Sequence, residues 1–262
     1  MMPSAIDPAT PFDPVGHESV SAGVVHQIEA MIVDGILKDG SRLPSERELA
    51  EAMQVSRPKI REALQQLEAR GLVSIRHGEG AFIAKLSGAA MTPAMLDLLG
   101  RHGEALFDYL EYRREQEAFA ARLAADRATS ADKARIRSIM DQLEQSWENQ
   151  DQAASIKADF RFHSAIIDAS QNSLLIHMMA SIYDLTRSRI FYNRDFLLSI
   201  DGSGRLLLDQ HLALGQAILD GDVKAAEEAA RAHLDFIERS FRVGQEQQER
   251  EIKARKRQLL AR

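Results

Sequence analysis

The chain has 262 residues, 45% hydrophobic and 27% charged, with a formal net charge of -6, which places it among ordinary globular proteins and outside collagen-like or disordered classes. It contains no cysteine, which excludes disulfide scaffolds, thiolate zinc fingers and cysteine nucleophiles and fits a reducing compartment. Charge is uneven: residues 17–86 carry -1, residues 87–249 carry -8 and residues 250–262 carry +5, so any DNA contact must come from a local cluster rather than from bulk positive charge.

Residues 1–16, with Pro3, Pro8, Pro11 and Pro14, read as a loose tail. They hold no Lys or Arg and no apolar run, and no later segment approaches the length of a membrane span. The expectation is a cytoplasmic protein without signal peptide or membrane anchor. From Val20 onward apolar residues recur at helical spacing, which predicts a mainly α chain with His26 in its first helix.

Residues 17–86 read as one small unit. Between Leu43 and Ala69, LPSERELAEAMQVSRPKIREALQQLEA holds two helix starts. Ser45 with Glu48 three residues later makes a capping box, and Ser56 is placed to cap a second helix with Pro58 in its first turn. A tight Gln54-Val55 turn separates them, and Leu49, Ala50, Met53, Ile60, Ala63, Leu64 and Leu67 are expected to face inward. This is a helix-turn-helix arrangement, whose second helix enters the major groove. Arg57, Lys59 and Arg61 stand at its start with no acid between them, where an arginine can pair bidentately with guanine. Arg47 on the preceding helix can add a base or phosphate contact. Between Leu72 and Leu86 two strand-like runs flank His77-Gly78-Glu79-Gly80, predicting a hairpin that acts as a wing. Glycine permits close approach at its tip, whereas Glu79 repels phosphate, so Gly78 rather than Glu79 is the expected wing contact.

The run PSERELA, VSRPKIREALQQLEARGLV and HGEGAFI resembles the winged helix-turn-helix of the GntR family of bacterial transcription regulators. By that resemblance Arg47, Arg57 and Arg61 occupy the family's DNA-contacting arginine positions and His77-Gly78 its wing contact. Lys59 stands where many members have Ser or Thr, and Ala81 where Thr is frequent. The resemblance implies a cytoplasmic, homodimeric repressor, not an enzyme, bound to an approximately palindromic double-stranded DNA operator.

Residues 87–102 lack periodicity and read as a linker; residues 103–245 read as an all-α helical bundle. Asp159 and His163, four apart in ADFRFHSAIIDAS, share one helix face. His163 lies on a stripe with Ile156, Phe160 and Ile167. His211 lies with Leu207, Leu208, Leu214 and Ile218, and His233 with Ala226, Ala230, Phe236 and Ile237. Each histidine alone reads as a hydrogen-bonded core residue. Together, three inward histidines and a carboxylate need partners, and one divalent metal ion (zinc, nickel, manganese or iron) would satisfy all four. Arg113 lies on the stripe of Leu106, Leu110, Ala120 and Ala124, where a charge facing inward asks for an anion, either an internal acid such as Glu117 or a bound one.

These features resemble the all-helical FCD effector domain of the FadR subfamily. There an Asp-x3-His and two later histidines bind a metal beneath a pocket for a small carboxylate. Asp159, His163, His211 and His233 match that pattern, and an arginine at the position of Arg113 contacts the effector. The surrounding sequence looks most like the branch sensing pyruvate, lactate or glycolate. Two rivals remain: a metal-dependent hydrolase or lyase tied to a DNA-targeting module, and a regulator whose metal is structural or is itself the signal. No HExxH motif, nucleophile elbow or phosphate-binding glycine loop supports the enzyme. The last stretch, 246–262, is a basic tail that reads either as a solvated helical or disordered segment or as an auxiliary DNA contact.

Overall fold

A computed structural model describes residues 19–86, 98, 105–187, 197 and 203–260. Two compact units meet in sequence between Leu86 and Ser87. The expected N-terminal tail and most of the linker expected over 87–102 lie outside the described residues.

The first unit contains helices α1 (Val20–Val33), α2 (Glu46–Met53) and α3 (Arg57–Ala69), followed by strands β1 (Val73–Arg76) and β2 (Gly80–Ile83). The capping box predicted at Ser45 forms: the Glu48 N–H donates to Ser45 Oγ, and Ser45 N–H donates to Glu48 Oε2 at 2.8 Å. α2 ends at Gln54, whose φ of 55° turns the chain into α3. Ser56 stands at the N-cap of α3 as expected, but its side chain makes no capping hydrogen bond, so Pro58, which has no N–H to satisfy, carries that start. The strands pair antiparallel in the register Val73↔Ile83 to Arg76↔Gly80. Leu43 N–H donating to the Ala81 carbonyl and Ile83 N–H donating to the Ser41 carbonyl tie the preceding segment to β2. Gly78, with φ 76°, closes the turn.

The core of this unit draws Val24, Val25 and Ile28 from α1, Ile60, Leu64 and Leu67 from α3, and Val73 and Ile83 from the hairpin. Leu49 is buried as expected, while Ala50 and Met53 pack at the edge.

The second unit is all helical among its described residues: α4 (Ala105–Arg127), α5 (Ser130–Glu148), α6 (Gln152–Ala169), α7 (Ser173–Arg187), α8 (Ser203–Asp220) and α9 (Val223–Leu260). Local chemistry sets the starts. Thr129 and Asp132 form a capping box for α5, Asp151 accepts from Ala154 N–H at α6, and Asp222 accepts from Ala225 N–H at α9. α4 packs against α6, α8 and α9, and α5 packs against α6 and α8. Gly215 lets α8 close onto α5, since a Cβ there would overlap the sulfur of Met140. On α6 His163 and Ile167 of the expected stripe are buried, but Ile156 and Phe160 are only partly covered, and the deeply buried aromatic is Phe162, packed with Ile166. α9 runs unbroken across the expected tail boundary at residue 245. No helix among the described residues is long and apolar enough to cross a membrane.

Candidate functional site

Three helices deliver the histidines. His163 from α6, His211 from α8 and His233 from α9 are all buried, and one ring nitrogen of each lies within 4.8 Å of those of the other two. His163 Nε2 and His211 Nε2 are 3.2 Å apart. Asp159, one turn before His163, brings Oδ1 to 3.1 Å from His211 Nε2 and 3.7 Å from His163 Nε2. The four residues expected to converge therefore do so. Phe162 covers the cluster with its ring edge-on to His163 and His211.

Two of the outer nitrogens are oriented. His163 Nδ1 donates to Glu117 Oε2 at 2.8 Å, and His233 Nδ1 faces Gln210 Oε1 at 3.0 Å. A carboxylate or amide behind a histidine fixes its tautomer and leaves the far nitrogen as a lone pair aimed inward. At His233 that far nitrogen, Nε2, is buried without a hydrogen-bond partner, a costly arrangement unless something else engages it. Burial, and then the neighbouring His211 and His163, push the His233 ring well below its usual range, so it is neutral and fit to be a ligand. The donor set of imidazoles and a carboxylate, with an orphaned inward nitrogen, fits a divalent ion.

Glu117 is the hub behind this cluster. Its Oε1 accepts from Arg113 Nε and Nη2, both at 2.7 Å, while its Oε2 takes His163. Burial disfavours the Glu117 carboxylate, yet the Arg113 and His163 charges outweigh it and hold the group down to about 2. Burial likewise disfavours the His163 imidazolium, but Glu117 and Asp159 raise the ring to about 9. Arg113, only 4% exposed, sits between the rings of Tyr109 and Tyr183 with its guanidinium carbon 5.7 and 5.5 Å from their centres. Of the two anions open to it from the sequence, the structure supplies the internal one, Glu117. The Tyr183 hydroxyl is buried with no geometric hydrogen bond.

The winged unit presents a different surface. Arg47, Arg57 and Arg61 are exposed and Lys59 is half-buried, and each has an acid beside it. Arg61 forks onto Glu46 at 3.0 and 2.7 Å, Arg57 lies 3.8 Å from the same carboxylate, and Arg47 lies 3.2 Å from Glu51. The Arg61 hydrogen bond lowers the Glu46 carboxyl below its ordinary range. Lys59 donates to Glu62 at 2.8 Å, and Glu62 also accepts from Ser21 of α1, so Lys59 is drawn away from Arg57 and Arg61. His77 and Gly78 sit exposed at the hairpin turn. Arg76 stacks over Phe82, its guanidinium carbon 4.5 Å from the ring centre.

Sequence reasoning did not assign Glu117, Gln210 or Tyr183 to the site. Glu117 carried a partial signal, four residues after an inward arginine. Gln210 and Tyr183 carried none, because their partners lie on other helices.

Comparison with known proteins accounts for both units. Residues 20–83 match the gntR family of bacterial regulatory proteins, and residues 108–236 match the FCD domain. The chain is 36% identical over 209 residues to the HTH-type transcriptional regulator LutR of Bacillus subtilis, covering 79% of this chain and 94% of LutR. It is 31% identical over 221 residues to the Glc operon transcriptional activator of Escherichia coli K12, covering 83% of this chain and 87% of that protein. Among solved structures, Streptococcus agalactiae GntR is 25% identical, with a TM-score of 0.49 over 84% of this chain and all of that one. The chain therefore belongs to the GntR family of bacterial regulators: it is a DNA-binding transcription regulator with an FCD domain, and not an enzyme.

Proposed function

We propose that the protein is a homodimeric repressor whose grip on a near-palindromic operator is set by a small carboxylate bound beside a divalent metal ion in the helical unit. Asp159, His163, His211 and His233 are the residues that would hold the ion. The observation that carries this reading is the inward convergence of three histidine nitrogens, one of them buried and unpartnered. A metal with open positions would supply Lewis acidity toward a carboxylate oxygen. Arg113 supports the carboxylate reading: it is buried beside the cluster, linked to it through Glu117, and framed by Tyr109 and Tyr183. An entering carboxylate would share that guanidinium with Glu117. In the winged unit, Arg47, Arg57 and Arg61 would read bases or phosphates, His77 and Gly78 would touch DNA from the wing, and Lys59, held toward Glu62, would reach phosphate at most.

The test is fluorescence anisotropy of metal-loaded protein on its own upstream DNA, titrated with pyruvate, lactate, glycolate and citrate at one fixed salt concentration. Release by one acid is the expected result; tightening would make that acid a co-repressor or co-activator, and indifference to all four would remove these carboxylates as effectors. Ligand binding can change DNA affinity only through unequal affinity for two states.

A second reading makes the ion a structural clamp, because its ligands come from three different helices, α6, α8 and α9. Chelation would then unfold the helical unit, whereas a sensing site would lose its acid response with the helices intact.

A further inference from the structure

α9 extends from Val223 to Leu260, a rod of about 57 Å at 1.5 Å per residue. Its first half is packed: Ala226, Ala230, His233, Leu234 and Ile237 are all buried. From Arg250 to Gln258 every side chain is exposed, so this stretch buries nothing against its own chain. It is supported by local pairs such as Arg250 to Glu246 at 3.1 Å, and an exposed polar helix of this kind has little packing to sustain it. The FCD match ends at residue 236, well before it.

The segment concentrates charge that the rest of the chain lacks. Residues 250–262 carry +5, against -1 for residues 17–86 and -8 for residues 87–249. At 3.6 residues per turn, Arg250, Lys253, Lys256 and Arg257 fall within about a third of the helix circumference. Ile252 is the one large apolar side chain from Arg250 to Gln258. A membrane-surface helix needs an apolar face and a coiled coil with a second copy needs an apolar seam; this stretch has neither. A row of cations without an apolar partner suits a polyanion of regular charge spacing.

We propose that the 250–257 segment of α9 is an accessory contact to the phosphate backbone of double-stranded DNA, adding affinity that does not depend on sequence. The winged unit reads bases but carries no net positive charge, and this segment supplies the attraction it lacks. Operator discrimination would be unaffected, since both specific and non-specific complexes gain the same contacts.

The experiment uses the full-length chain with Arg250→Gln, Lys253→Gln, Lys256→Gln and Arg257→Gln combined. Glutamine is a comparable helix former, and circular dichroism verifies that helix content is kept. Affinity is measured on a duplex from the chain's own upstream region and on a scrambled duplex of the same length, across a range of KCl concentrations. The expected result is a loss of at least about tenfold on both duplexes, with the log-affinity versus log-salt slope shallower by about 3 to 4 for each protomer in contact. Unchanged affinities and slope would overturn the proposal, as would a loss confined to the upstream duplex. A changed association state in sedimentation with the salt slope intact would assign the segment to a second copy. Lost binding to phosphatidylserine vesicles with the slope intact would assign it to a membrane. Either result would overturn the DNA contact.

Discussion

Both units hold arginines against glutamates, but under opposite conditions. In the winged unit Arg61 and Glu46 meet with side chains 57% and 29% exposed; in the helical unit Arg113 and Glu117 meet at 5% and 6%. Exposed pairs are weak because water solvates either partner almost as well. The arginines of α3 can therefore exchange Glu46 for phosphate or a base edge at little cost. A buried pair has no such alternative, and losing one partner leaves an uncompensated charge in a poor solvent. One unit holds its cations loosely for exchange; the other fixes its charges and uses them to orient a histidine.

The largest effect separating the two regions is expected at the buried hub. Glu117→Ala should cost the helical unit about 3–5 kcal/mol by stranding Arg113, read as a shifted urea transition by a probe within that unit. A loss comparable to an exposed pair would erase the contrast. Next is Arg57→Ala, which should weaken binding to the upstream duplex by about tenfold or more while sparing scrambled DNA. Equal losses on both duplexes would reduce Arg57 to a phosphate contact. Gln210→Ala, which removes only the partner of His233 Nδ1, should lower metal affinity by about 10- to 100-fold, measured by competition with a chelator. Unchanged affinity would exclude His233 as an oriented ligand.

The pH dependence sharpens the same contrast. In the metal-free protein His163 is raised from 6.5 to about 9, so its pairing stabilises fully below about pH 6.5 and is lost as pH rises through about 9. Glu117 is lowered from 4.5 to about 2, so its contribution is present above about pH 4.5 and is lost as pH falls through about 2. Urea midpoints of the helical unit should fall on the alkaline side near pH 9. Because a ligating histidine must give up its proton, metal uptake near neutral pH should release one from His163, detectable by calorimetry in buffers of different ionisation enthalpy. The smallest change is expected from Glu46→Gln, which frees Arg61 and Arg57 and should strengthen DNA binding only a few-fold. A large gain would show that the exposed pair restrains the recognition helix more than its solvation allows.

What the sequence disclosed follows the range of each interaction. The Ser45–Glu48 box lies within one turn and was legible as three-residue spacing. The convergence of Asp159, His163, His211 and His233 was legible because helical periodicity shows which side chains face inward, and inward polar groups are few. Glu117 joining His163 was not legible, since 46 positions separate them and nothing local encodes which helices touch. The same holds for Glu46, which reaches Arg61 from the preceding helix. On α6 His163 and Ile167 face inward as expected, but the buried aromatic is Phe162 and not Phe160, because the two are chemically alike and only packing decides which is covered. The composition of 246–260 suits a solvated helix or a disordered tail equally, and the structure gives the helix.

His233 and Arg255 stand on the same unbroken helix, about 33 Å apart along its axis. No proline lies between them, so the helix can carry a tilt along its axis as a beam does, with Gly244 its softest point. A pivot of about 5° at the histidine would sweep the basic end through about 3 Å, close to the distance between making and losing a phosphate contact. The beam converts an adjustment too small to disturb a packed core into a displacement that an ion pair registers.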